Sequence, residues 1–145
     1  MSAIRIEQTY PQPTGVVWRA LTDPEVVPRW TSTGAGGRPV GFSTEVGTRF
    51  QFIGKPKPGW DGVVDCVVLE AREPSVFRFS WTDSGSGDVT EVAFLLAPTG
   101  DGGTRLVYEH TGFRGVGGFF MARLLGRVRR TMLRSGLPPV LADLA

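Results

Sequence analysis

Apolar and polar positions alternate in three successive runs, residues 76–81, 89–96 and 104–111. Period two is the signature of a half-buried strand. It places Phe77, Phe79 and Trp81 on one face, as it does Val92, Phe94 and Leu96 and then Leu106, Tyr108 and His110. The connectors are Asp-Ser-Gly-Ser-Gly-Asp at 83–88 and Pro-Thr-Gly-Asp-Gly-Gly at 98–103, both turn chemistry. The pattern predicts three consecutive antiparallel strands sharing one aromatic face, and such a face needs a cover. After Phe113 the period changes to about 3.6. Phe120, Leu124, Val128 and Met132 mark one side of a predicted helix, widened by Met121 and Leu125, while Arg123, Arg127, Arg130 and Arg134 mark the other. The apolar side is expected to cover the aromatic sheet. Gly126 is expected to cost this helix about 1 kcal/mol against alanine. Gly136, Pro138 and Pro139 are expected to end or kink it, with a last turn over 140–144.

The first half of the chain is more broken. Residues 3–10 read as a strand with Ile4 and Ile6 opposite Arg5 and Glu7, stopped by Pro11 and Pro13. Val16, Val17, Ala20 and Leu21, with Trp18 beside them, form a two-turn apolar stripe. Asp23 as N-cap and Pro24 at the first helical position predict a second helix, kept short by Pro28. A Gly-rich loop follows at 31–37. Residues 39–44 read as a weak, edge-type strand and 48–53 as a better one, with Phe50 and Phe52 on one face. Residues 54–59 hold Lys-Pro-Lys-Pro and read as a hairpin loop. The run 61–71 is rich in β-formers, but its alternation is too blurred to assign faces.

Composition narrows the class. At 145 residues, with 41% hydrophobic and 21% charged residues, the chain reads as one ordinary globular domain spanning 1–145. No apolar run approaches the roughly 18 residues of a membrane span, and no basic-then-apolar leader opens the chain, so a cytoplasmic protein without stable membrane insertion is expected. A single cysteine, Cys66, excludes an internal disulfide and a cysteine-clustered metal site. The net charge of +2 hides an asymmetry: residues 113–134 hold six arginines and no acid, whereas 61–109 hold nine acids against three arginines. The basic helix is expected to be a solvated face balanced by the acidic sheet. Nucleic-acid binding is not expected, because exposed aromatics are not interleaved with a large excess of positive charge.

Five stretches, taken in order, resemble a known family. They are VVWRALTDPEVVPRW at 16–30, VGTRFQF at 46–52, the aromatic strand 77–81, GGTRLVYEHTGF at 102–113, and GFFMARLLGRVRRTMLRSGLPPVLADL at 118–144. Together they are similar to the START-like helix-grip fold of the polyketide cyclase/dehydrase superfamily (SRPBCC), in its activator-of-heat-shock-protein-ATPase homologue branch. The resemblance implies an α+β fold in which a curved antiparallel sheet of six or seven strands wraps a long C-terminal helix, with two short helices after the first strand. It also implies a cavity between sheet and helix, which in relatives can hold lipids, polyketides, hormones or other small apolar molecules; only some branches are catalytic. At 145 residues the chain is expected to lack the second, partner-binding domain of the eukaryotic co-chaperone.

Candidate chemistry is sparse. His110, the only histidine, is an acid–base candidate with Tyr108; the plainer reading is a histidine hydrogen-bonded within the fold, since no orienting carboxylate is identifiable. Trp81, Phe79, Phe94, Tyr108, His110, Leu124 and Val128 are the expected ligand-contacting residues, while Trp60 is a rim candidate. Cys66 sits among valines and reads as a small buried hydrophobe. Arg78 alternates with Phe77 and Phe79 and should point outward. Asp65, Glu91 and Glu109 fall on mixed or outward faces and form no assignable acid–base pair. No phosphate loop, dinucleotide fingerprint, zinc spacing or nucleophile elbow is present, so neither cofactor nor metal is expected. The favoured reading is a small domain enclosing an apolar, aromatic or polyketide-like ligand, with Tyr108 and His110 orienting its polar tip. A cyclase/dehydratase-type enzyme using the same cavity and a co-chaperone-like interaction module are the alternatives.

Overall fold

Seven strands form one antiparallel sheet in the order β1-β7-β6-β5-β4-β3-β2. They are β1 (Ser2–Tyr10), β2 (Arg38–Val40), β3 (Arg49–Ile53), β4 (Val63–Arg72), β5 (Val76–Asp83), β6 (Val89–Pro98) and β7 (Thr104–Phe113). Helices α1 (Thr14–Thr22) and α2 (Val27–Thr31) follow β1. The chain closes with α3 (Gly115–Thr131), a wide turn at Met132–Gly136 and α4 (Leu137–Leu144). This is the helix-grip arrangement, described here from a computed structural model for residues 2–31, 37–56, 58, 61–83 and 88–145.

The three alternating runs pair as their pattern requires. Phe77 lies opposite Phe94, and Phe94 opposite Tyr108; Val92 sits between Phe79 and His110. All of these inward residues are buried. The blurred run 61–71 resolves into inward Val64, Cys66 and Val68, with Val63, Val67 and Leu69 on the outer face. Valines on both faces hid the alternation, and a bulge between Val68 and Glu70 shifts the register, bending the strand locally. The weak strand is shorter than predicted and is indeed an edge, β2.

Three details differ from the sequence expectation. Asp23 and Pro24 begin a turn instead of a helix: the Glu25 amide donates to Asp23 Oδ1 at 2.9 Å, and α2 starts only at Val27. Pro28 then sits in the first turn, where no backbone donor is needed, so it does not shorten the helix. At the other end, Gly136 and the two prolines do not stop the C-terminal helix. The Leu137 amide reaches back to the Met132 carbonyl, a five-residue span. That wider turn relieves the collision a proline ring makes with the carbonyl four residues earlier, and the helix continues to Leu144. The Tyr10 hydroxyl pins this bend by donating to the Leu133 carbonyl at 2.6 Å.

The third difference concerns α3. Its buried residues are Ala122 and Gly126, not the large apolar side chains. Phe120, Leu124 and Met121 are exposed by 63%, 59% and 42%. Small residues let α3 lie close on β1: a Cβ at Gly126 would stand 3.9 Å from two carbons of Ile4 and 3.4 Å from Nη1 at the flexible end of Arg130. Because these are ordinary contact distances, Gly126→Ala is expected to stabilise the domain by up to about 1 kcal/mol through helix propensity alone. Denaturant unfolding would show it as a higher midpoint with unchanged slope; a lower midpoint would mean that the helix sits closer than this.

The arginine face also departs from expectation. The acids of the sheet pair within the sheet: Glu70 with Arg72 and Arg78, Glu91 with Arg78, and Glu7 with Arg5 and Arg105. Among the described residues Arg123, Arg127, Arg130 and Arg134 enter no ion pair, so the helix is solvated but not balanced by direct contact with the sheet. Among the described residues no helix is long and apolar enough to cross a membrane.

Candidate functional site

The inward faces of β3, β5 and β6 and the cavity side of α3 enclose a space of about 810 Å³. Period two brings Phe77, Phe79 and Trp81 to one wall, and Phe52 of β3 stacks obliquely on both Phe79 and Trp81, with ring centroids 5.9 and 5.7 Å away. Leu21, Trp30 and Leu133 close the deep end. Leu125 and Val128 of α3 form the roof. Its mouth is marked by lining residues that are themselves exposed: Pro58, Asp88, Arg114, Met121 and Leu124. This explains the bare apolar stripe of α3: Met121 and Leu124 face a gap that no side chain among the described residues fills.

A guanidinium stands inside the walls. Arg129, in the last turn of α3, is half-buried and lines the cavity. Its guanidinium lies over the Trp81 ring, 5.0 Å from the centroid, and its Nε donates to the Tyr108 hydroxyl at 3.1 Å. Nη1 approaches Met132 Sδ at 3.3 Å. Arg129 is not among the residues singled out from sequence; it falls between the apolar stripe and the arginine stripe. Its helical offset from Leu125 was the available signal, since residues four apart share a face.

Behind the wall a directed hydrogen-bond chain runs through His110, which is fully buried and lies outside the lining. Nε2 is 2.7 Å from Thr90 Oγ1, and Thr90 in turn donates to the Trp81 carbonyl at 3.1 Å. Nδ1 lies 3.4 Å from the Tyr108 hydroxyl. Since Thr90 spends its proton on Trp81 and Tyr108 accepts from Arg129, the consistent assignment is a neutral imidazole with Nε2 protonated and Nδ1 accepting from Tyr108. Burial, with the Arg129 charge second, pushes the imidazole down to about 3. Burial raises the Tyr108 phenol, against the opposing pull of Arg129. At neutral pH both groups are therefore uncharged.

Comparison with known proteins fits this geometry. The family model for Activator of Hsp90 ATPase homolog 1-like protein matches residues 12–118, well over half of the chain. The chain belongs to that family. Among solved structures, protein MLL2253 from Mesorhizobium loti is 25% identical, with a TM-score of 0.82 and 98% of both chains covered. PFC0360w, an HSP90 activator from Plasmodium falciparum, is 17% identical with a TM-score of 0.71, covering 99% of this chain and 96% of that one. DynU16, a protein of the dynemicin biosynthetic locus, is 23% identical with a TM-score of 0.67, covering 95% of this chain and 49% of that one. The last two likenesses show the fold alone. No curated protein matches the chain significantly.

In this member of the Activator of Hsp90 ATPase homolog 1-like family, the residues singled out from sequence are placed as follows. Trp81, Phe79, Phe94, Tyr108, Leu124 and Val128 line the cavity, whereas His110 stands behind Trp81 and Tyr108. Trp60 lies outside the described residues. Cys66 is buried and free, and burial pushes its thiol up, away from thiolate chemistry. Arg78 points outward into its two ion pairs.

Proposed function

We propose that this domain binds a small, largely apolar molecule in the space between its sheet and α3. The observation that carries the reading is the aromatic-walled cavity of about 810 Å³, with an exposed mouth, among the described residues. That volume lies in the range of ordinary small-molecule sites, and an apolar wall with few polar groups is their usual make-up. Phe79, Trp81, Phe94, Leu124 and Val128 supply contact area, while Tyr108 meets a polar tip. His110 acts one layer back, holding the Tyr108 ring and hydroxyl in place.

The test is a chemically diverse ligand screen read by thermal unfolding, with the Trp81 environment followed by fluorescence. A ligand at a hundred times its Kd stabilises the native state by about 2.7 kcal/mol. A rise in Tm of several degrees, with a change in emission that Trp81→Phe removes, is the expected outcome. No stabilisation by any compound would count against the reading.

A second reading, a chaperone-interaction module, has its own support in the family membership and in Val116, Phe119 and Phe120. These are 74%, 45% and 63% exposed and lie outside the cavity lining. Saturable binding to an Hsp90-type chaperone, lost in a Phe119→Ser/Phe120→Ser variant and indifferent to small molecules, would favour it.

A further inference from the structure

A guanidinium lining an apolar cavity needs compensation. Removing a charge from water is costly unless it is paired and hydrogen-bonded. Arg129 has only neutral partners here: the Tyr108 hydroxyl, the Met132 sulfur and the Trp81 face. Among the described residues no carboxylate reaches it. Two acids also line the cavity: Asp83, two residues beyond Trp81 on β5, and Asp88, just before β6. The remaining guanidinium N–H groups have no acceptor among the described residues.

The support around Arg129 is built to hold it in place. Trp81 lies beneath it, which favours a cation at that position. The Tyr108 oxygen fixes Nε, and the chain through His110 and Thr90 back to the Trp81 carbonyl fixes Tyr108. The chain also dictates polarity. With its proton committed to His110, the Tyr108 hydroxyl receives from Arg129, so none of these groups offers the arginine a negative charge. A fork of donors anchored at one edge, with its other edge unmatched, is the half of a bidentate pair that recognises an oxyanion.

We infer that Arg129 is the anchor for an anionic end on the cavity's ligand, so that the preferred guest is an amphipathic carboxylate or similar oxyanion whose apolar remainder lies along Phe79, Phe94 and Val128. This rests on the cavity reading above and adds the ligand's charge and orientation. The anion completes the guanidinium and faces the Trp81 side of the cavity; the tail takes the dry wall. A neutral molecule of the same shape fills the space but leaves the charge uncompensated.

Two probes separate shape from charge: 1-anilinonaphthalene-8-sulfonate and N-phenyl-1-naphthylamine share one aromatic skeleton, and only the first carries an anion. Fluorescence titration of the native domain should show the sulfonate binding more tightly. In Arg129→Leu its affinity should fall by roughly 10- to 100-fold, the range for a charge-assisted contact, while the neutral probe changes less than about threefold. Arg129→Lys keeps the charge without the fork and should lie between; Arg129→Met serves if the leucine variant does not fold. Arg127→Leu, on the outer face, should leave both probes unchanged. Equal sulfonate affinity in the native protein and Arg129→Leu would overturn the assignment while leaving the cavity reading intact. An equal loss in Arg127→Leu would overturn it too, by putting the probe on the outer surface. Failure of both probes to bind the native protein would remove the cavity reading itself, and the anchor with it.

Discussion

Phe77→Ala is expected to destabilise the domain by about 3–5 kcal/mol, the range for deleting a buried aromatic ring. Phe77 is only 2% exposed and packs edge-on to Trp18 and Phe42 while lying against Phe79, so it joins α1, the segment before β3 and the central sheet. A single domain holds roughly 5–15 kcal/mol in all, so this loss brings the variant near its unfolding threshold. The comparison that gives the result meaning is Phe120→Ala. Helical periodicity alone would make Phe120 a core residue, but at 63% exposure its truncation should change stability by less than about 0.5 kcal/mol. Urea unfolding of both variants checks the pair. Comparable losses would mean that α3 packs its large apolar face onto the sheet after all.

Acid should weaken the fold through His110, and the effect should be nearly as large. Burial holds its folded-state value at about 3, below the ordinary 6.5. Between those values the unfolded chain binds a proton that the native chain refuses. Stability is therefore complete above about pH 7 and declines as pH falls through 6.5 toward 3, with a limiting slope of about 1.4 kcal/mol per pH unit. Protonation would also turn Nδ1 into a donor facing the Tyr108 hydroxyl, whose proton would lose its acceptor. His110→Gln should be less stable at pH 7 and should lack this slope between pH 6 and 4. Glu7 and Asp101, whose carboxyls hydrogen bonds from Arg105 and Thr99 hold below the usual range, act in both proteins, so the difference isolates the imidazole. Unfolding midpoints that decline in parallel would contradict the assignment.

Much of this architecture was legible because short-range patterns carry it. Alternation at Phe77, Phe79 and Trp81, and the change of period after Phe113, were enough to set sheet against helix. The run of β4 was illegible because Val63, Val64, Val67 and Val68 put the same side chain on both faces. The C-terminal end misled for a local reason: Pro138 and Pro139 break an ordinary helical turn, but a wider turn accommodates them. The cavity was the least legible feature. An apolar stripe looks the same whether it meets a packed sheet or a gap, so periodicity could not tell Met121 from a core residue, and Leu124 and Val128 were assigned to the lining only through the family resemblance. Arg129 was missed for a related reason. Among five arginines in one helical segment, nothing local marks the one whose neighbour across the cavity is Trp81. Tyr108 and His110 were found by residue type and share one strand face, yet only the packing of Trp81 and Phe113 around His110 shows that one lines the cavity and the other stands behind it.

The central claim is that a guest molecule occupies the space beneath α3. Its most direct test is an isotope-edited NMR experiment on the domain saturated with N-phenyl-1-naphthylamine, measuring contacts between the probe's ring protons and protein methyl groups. Contacts to Val92, Leu125 and Val128, which line the interior, are the predicted result. Contacts confined to Val116 and the exposed Phe119–Phe120 surface would place the guest outside and contradict the claim.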